Sequence, residues 1–356
     1  MASSDRYEDV VRTRNAEKFA EFDRGHKGIW SRFHDALHST PALVPLIVLL
    51  AACIIFGLVL GSKFFSPFAL TLILQQVQIV GVLAAAQALI ILTAGIDLSV
   101  GAIAVLCSVI MGQVSFRYGV PAGLAVPIGL ACGTAIGAAN GWLVSRLRLP
   151  PFIVTLGMWQ IVLAVNYLYS ANETIRAQDI ETSAPFLQFL GTKFTLGGAV
   201  FTLGVVLMLL VVLVLAYVLR STAWGRHVYA VGDDPEAAQL AGVDRHKTLM
   251  SVYMVVGFIC GLAGWVMIGR FGSVSPSATT GVIGNIQAIT AVVIGGISLF
   301  GGRGSIVGAF FGALIVGVFE LGLRMAGADP QWTYLLIGVL IIAAVTVDQW
   351  IRKVTA

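Results

Sequence analysis

Few side chains in this 356-residue sequence could do chemistry, and those few stand apart from one another. Asp97 is the only carboxylate in the first five long apolar runs, in the glycine-bounded stretch TAGIDLSVGAI, Thr93 to Ile103. An ionisable group surrounded by apolar sequence is a candidate functional site. With Ser99 close by, it serves equally as a cap on the following helix, and capping or gate structure is the preferred reading. Glu320 and Arg324, four residues apart in acid-before-base order, form an intrahelical pair. Uncharged amides are more numerous: Gln75, Gln76, Gln78, Gln87, Asn140, Gln160, Asn166, Asn285 and Gln287. Such groups bind the hydroxyls of a neutral solute without burying charge, or they tie helices together. We expect most to tie helices, with Gln78, Gln87 and Gln160 facing a pathway and Trp159 and Phe152 able to stack on a sugar ring.

Motifs for other chemistry are missing. No G-x-x-x-x-G-K-[ST] loop cradles a phosphate, and GGRGS, Gly301 to Ser305, lacks the lysine. HExxH, GxSxG, Cys-His and metal-ligand clusters are absent too. Cys53, Cys107, Cys132 and Cys260 each lie inside an apolar run without a CxxC partner, which reads as core packing. Neither an enzyme, a bound cofactor, a metal site nor a nucleic-acid partner is expected.

The elements that position these groups follow from composition. Hydrophobic residues make up 58% of the chain, charged residues 11%, and the mean hydropathy is +0.90, which implies an integral membrane protein. Forty glycines scattered through apolar runs imply helices packed through small residues. Runs long enough to cross a bilayer fall near 42–61, 68–94, 99–116, 122–145, 152–170, 199–219, 248–269, 283–300, 305–325 and 332–349. The expected fold is an all-α polytopic membrane protein with about ten transmembrane helices. Residues 1–40 would be a polar tail without a secretory signal, 41–350 the transmembrane domain and 351–356 a second tail. Placing the N-terminus inside puts 16 Lys/Arg in inner segments and six outside, so both termini are expected in the cytoplasm.

The 220–247 loop then falls on the inner side. In GDDPEAAQLAG, Asp234 can cap a helix, Pro235 suits its first turn, Glu236 favours its positive end and Gly242 stops it. A helix of about two turns needs a partner surface to persist. Ala237, Leu240 and Ala241 share one face, a small apolar knob between charged flanks. It could pack on its own bundle or dock into another protein. On the other side, the 171–198 loop is long enough for a short helix against an external partner. The stretches TAGIDLSVGAI and IGGISLFGGRGSIVGAF, the latter containing Gly295 and Gly296, both interrupt apolar runs and suggest a duplicated unit. Backbone outside helix geometry at that depth must be buried in protein or line water, so both breaks are expected beside the translocation path or its inner mouth.

The segments LTAGIDLSVGAI, LPPFIVTLGMW, GRHVYAVGDDPEAAQLAGV, QAITAVVIGGISLFGGRGSIVGAFFGALIVG and LIGVLIIAAVTVDQWIRK resemble the permease subunits of bacterial ABC importers for monosaccharides, the ribose/xylose/fructose branch. The likeness runs from about Pro41 to the end, and GDDPEAA, SANETIR and GADPQW look most like fructose-type permeases. Asp234-Pro235 stands where the commoner family form has Gly-Asn. The resemblance implies a second copy of the permease, a cytoplasmic ABC ATPase that uses the ATP, a periplasmic sugar-binding protein and a monosaccharide substrate. It also implies residence in the bacterial inner membrane, with coupling to the ATPase through Asp233, Asp234, Pro235, Glu236, Ala237, Ala238, Gln239, Leu240, Ala241 and Gly242. Bulky or charged replacement of Ala238 is expected to uncouple transport. The alternatives are an ion-coupled secondary transporter and an ABC permease for nucleosides or branched-chain amino acids.

Overall fold

The structure, a computed structural model, describes residues 42–355; the expected tail at 1–40 lies outside the described residues. The first five helices are α1 Leu43–Leu60, α2 Pro67–Leu92, α3 Val100–Tyr118, α4 Ala122–Ser145 and α5 Pro151–Ser170. After them come a short helix α6 (Ala177–Ser183), a 3-10 segment (Pro185–Gly191) and a hairpin of β1 (Lys193–Leu196) and β2 (Ala199–Thr202). The second half holds α7 Leu203–Ser221, α8 Ala223–Asp233, α9 Pro235–Leu240, α10 Arg245–Phe271, α11 Ala278–Ile294, α12 Ile306–Met325 and α13 Pro330–Thr355. Among the described residues, eight helices are long and apolar enough to cross a membrane, and α11 and part of α13 form two shorter apolar helices.

Helix starts obey local chemistry. The Ser66 side chain accepts from Ala69 N–H ahead of Pro67, and Thr222, Asp234, Asp244, Ser277 and Ser305 cap α8 to α12 in the same way. α3 and α10 end at Gly119 and Gly272, both left-handed, a conformation that costs glycine least.

Burial is inverted relative to a water-soluble domain. Leu58 and Leu168 are 82% and 83% exposed on helices whose outer faces carry little else but apolar side chains, a surface suited to lipid. By contrast, α2 is buried continuously from Val80 to Leu92, and α10, α11 and α12 pack around it. α4 and α10 meet backbone to backbone. A Cβ at Gly133 or Gly137 would strike the Gly257 or Tyr253 carbonyl, so only glycine permits that approach. α1 lies on the periphery, with Phe56 pressed on Gly322 and edge-on to Phe319 of α12 at 5.6 Å.

Three boundaries differ from expectation. The run expected to enter the membrane at 199 begins with β2, because Gly197 and Gly198, both at positive φ, make a two-residue hairpin turn. The eighth run forms α11 at 278–294 and then breaks at Gly295, whereas the sequence placed it at 283–300. α13 continues as helix to Thr355, through most of the segment assigned to a C-terminal tail.

Candidate functional site

The structure brings the 220–247 loop and both glycine-rich breaks to one end of the bundle. α8 ends against them. A Cβ at Gly232 would overlap the Leu92 carbonyl, at the end of α2, and would stand 2.8 Å from Gly302 N. Gly302 N–H donates to that same Leu92 carbonyl at 3.0 Å, so the two breaks are bonded to each other beneath α8. The Tyr229 hydroxyl donates to the Gly304 carbonyl at 2.9 Å, and an added Cβ at Gly301 would crowd Ala94. Burial raises the pKa of the Tyr229 hydroxyl above its ordinary value, which keeps it a donor.

α9 stands on this platform. Asp234 accepts from the Glu236 and Ala237 N–H groups at 2.9 and 3.0 Å, and Asp244 caps the following helix through Lys247 N–H at 3.0 Å. That backbone bond holds the Asp244 carboxyl below the usual carboxylate range. Leu240 is 91% exposed, with Ala237 and Ala241 beside it on an exposed face. Ala238 faces the other way. It is buried against Val231 and Leu249, with Ala230 and Val243 around them. Ala238 is therefore the seat of the short helix on its own bundle, opposite the exposed knob of Ala237, Leu240 and Ala241.

Asp97 is 1% exposed and belongs to a latch. Its Oδ1 accepts from Ser99 N–H at 2.7 Å and from the Ser99 hydroxyl at 2.6 Å, and Asn140 donates to that hydroxyl at 3.1 Å. The Gln87 amide, nitrogen turned toward the break, donates to the Asp97 carbonyl (3.1 Å) and accepts from its N–H (3.3 Å). Thr155 accepts from Leu98 N–H at 3.1 Å and donates to the Ile96 carbonyl at 3.2 Å, while Asn285 donates to the Leu98 carbonyl at 3.1 Å. Three helices thus supply the partners that backbone loses on leaving helix geometry, as a low-dielectric setting requires, and Asn140 of a fourth braces Ser99.

Two open clefts occupy the half of the bundle nearer the hairpin. The larger, about 370 Å³, lies among α2, α11, α12 and α13 and is lined by Gln76, Gln287, Glu320 and Arg324, with Tyr334 and several isoleucines. The second, about 270 Å³, shares Gln76, Ile283 and Gln287 with the first and adds Gln75, Thr280 and Arg270. Glu320 is the hub. Its Oε2 accepts from Gln76 at 3.0 Å and Gln287 at 3.3 Å, and its Oε1 from Arg324 at 2.9 Å.

The residues expected on a pathway lie elsewhere. Asp97, Ser99 and Gln87 are in the buried latch. Gln78, 1% exposed, accepts from Thr202 at 2.7 Å and donates to the Gln75 carbonyl, joining the hairpin to α2. Trp159 lines a crevice of about 10 Å³, too small for a sugar, and Gln160 is exposed on the apolar face of α5 beside Leu156 and Ile161. Gly295 is packed on the Gly308 backbone, and Gly296 is an exposed turn residue at positive φ. The amides at the clefts are instead Gln75, Gln76 and Gln287. Spacing could not single out Gln76 and Gln287, because the partner they share, Glu320, is 244 residues from Gln76.

A lipid-faced helical bundle with clefts at one end and a capped, apolar-tipped helix at the other is a multi-pass membrane protein, and its relatives are transport subunits. The chain belongs to the permease family described as branched-chain amino acid transport system / permease component, which matches residues 69–345. It is 67% identical to the fructose import permease protein FrcC of Rhizobium meliloti over 95% of this chain and 93% of that protein. Identity to the ribose import permease protein RbsC of Escherichia coli K12 is 35%, covering 86% and 92%. For the autoinducer 2 import system permease protein LsrC of Photorhabdus luminescens it is 32%, covering 85% and 89%. No solved structure matches the chain.

Proposed function

We propose that this chain is the membrane-spanning subunit of an ATP-binding cassette importer that carries a monosaccharide, fructose in the first instance, across the bacterial inner membrane. Ten helices cross, with both termini and the α8–α9 unit in the cytoplasm, as the Lys/Arg distribution favours. Two copies form one path, a soluble binding protein delivers sugar at the hairpin end, and a separate ATPase docks on α9. The observation that carries this reading is the seating of α8 on Leu92 and Gly302. Displacement of α9 passes directly into the ends of α2 and α11 and the start of α12, which are the elements around the clefts. Coupling then needs the ATPase to grip α9 differently in its open and closed states, since equal affinity for both would shift nothing. The kinship to sugar import permeases supports the substrate class.

The test is uptake of a labelled sugar panel in a strain lacking the gene, complemented with the wild-type chain or Leu240→Glu. Leu240 touches little of its own bundle, and burying a leucine in a partner is worth about 1.5–3 kcal/mol. The expected result is fructose uptake by the wild type, and for Leu240→Glu at least ~10-fold weaker ATPase binding with a normally inserted permease. Uptake that persists without any ATPase, or that collapses under a protonophore at constant ATP, would instead establish an ion-coupled transporter.

A further inference from the structure

The Gln76–Glu320–Gln287 cluster joins α2, α11 and α12 and converges on the larger cleft. Each glutamine gives its amide nitrogen to a single carboxylate oxygen, and neither Gln76 Oε1 nor Gln287 Oε1 accepts a hydrogen bond from any described residue. Two amide oxygens are thereby held free by a carboxylate whose charge is matched by Arg324. Arg324 is itself 70% exposed at the rim, with further N–H donors to offer. Tyr334 and the isoleucines give the same cleft an apolar wall. Its volume, about 370 Å³, lies in the range of small-molecule sites.

We infer that this cleft is a solute site for a neutral polyol, in which Gln76 and Gln287 accept sugar hydroxyls, Arg324 donates to one, and Tyr334 covers an apolar ring face. The inference rests on the sugar-importer reading and deepens it. The chemistry selects against two other classes. An anion finds no unpaired positive charge in this cleft, because Arg324 is already matched by Glu320. A zwitterionic amino acid would have to break the 2.9 Å pair with Arg324 to gain its own ion pairs, at the cost of desolvating both charges anew. A polyol leaves that pair intact and uses only amide lone pairs that have no partner and the spare N–H donors of Arg324. Position adds a second argument. Gln76 and Gln287 stand in the wall common to both clefts, so a solute leaving one is still within reach of the other. Gln287 also lies two helical turns before Ile294, where α11 enters the break that Gly302 bonds to Leu92 beneath α8. Occupancy and coupling thus meet on one helix.

The experiment uses the full transporter, with permease, ATPase and binding protein in proteoliposomes, and measures uptake of fructose, its mono-deoxy analogues and leucine. For Gln287→Leu, and separately for the near-isosteric Glu320→Gln, we expect the half-saturating concentration of loaded binding protein to rise roughly five- to tenfold, as for a lost hydrogen bond. Copurification with the ATPase should be unchanged. We further expect Gln287→Leu to abolish discrimination against one of the deoxy analogues, an effect that loosened packing would not produce. Wild-type saturation and wild-type discrimination in both variants would overturn the site while leaving the importer reading intact. Uptake of leucine but not fructose by the wild type would overturn both.

Discussion

Gly232→Ala tests the transmission path most directly, because the same substitution should be favourable on every ground but one. Gly232 lies in the last turn of α8, where its φ is ordinary, and replacing a helical glycine with alanine gains roughly 1 kcal/mol of helix propensity. Against this, the new Cβ overlaps the Leu92 carbonyl and stands 2.8 Å from Gly302 N and 2.9 Å from Leu92 C, all of them backbone atoms that no rotamer change can move. Overpacking of this kind costs about 1–3 kcal/mol. If the two breaks part to make room, the 3.0 Å Gly302–Leu92 hydrogen bond goes too, a further loss of about 0.5–1.5 kcal/mol. The net penalty, about 1–3 kcal/mol, falls on the contact that links the α8–α9 unit to the bundle and corresponds to ~5- to 150-fold in coupling. In proteoliposomes holding the complete transporter, we expect sugar transported per ATP hydrolysed to fall by at least ~10-fold, with hydrolysis persisting. Gly157→Ala is the control, since nothing lies within 4 Å of a Cβ built there and the stoichiometry should not change. Should Gly232→Ala keep the wild-type stoichiometry, α8 does not transmit through Leu92 and Gly302.

Ala238→Arg should act on the fold as well as on docking. Forcing a guanidinium between Val231 and Leu249 unseats α9, so limited proteolysis should cleave the 233–244 segment faster in this variant, whereas Leu240→Glu should leave cleavage unchanged. Thr155→Val keeps the shape of the latch but strands the Leu98 N–H and the Ile96 carbonyl. A loss of about 1–3 kcal/mol of stability is expected, read as earlier thermal unfolding in detergent; an unchanged midpoint would show that the break finds other partners.

Much of this architecture was legible in the sequence because it is written in local patterns. Apolar run lengths located the helices, and Asp234-Pro235 with Gly242 marked α9 to within a residue or two. The 171–198 loop did hold a short helix, α6. Other features depend on contacts that no local pattern encodes. Asp97 and Ser99 could be read as a cap, but Gln87, Asn140, Thr155 and Asn285, which complete the latch, come from four other stretches. The amides expected on the path, Gln78, Gln87 and Gln160, stand apart from the clefts: the first joins the hairpin to α2, the second belongs to the latch and the third is exposed on α5. Helix rotation decides which side of a span an amide faces, and with apolar residues all round these helices the sequence carries little phase information. One miss was avoidable. Gly197-Gly198 between KFTL and AVFT is a hairpin signal, overlooked because the apolar tail of β2 runs straight into α7.

The latch also sets an order of events at the ribosome. Asn285 cannot reach Leu98 until nearly two hundred further residues have been made, which takes roughly 10–40 s at ordinary rates of synthesis. During that interval α2 and α3 are already in the insertion machinery, with part of their junction still unbonded. The nascent protein therefore has to be sheltered, by the translocon or by water at the headgroups, until α11 arrives. Truncations ending before that helix should accordingly be cleared by membrane proteases much faster than those ending just after it.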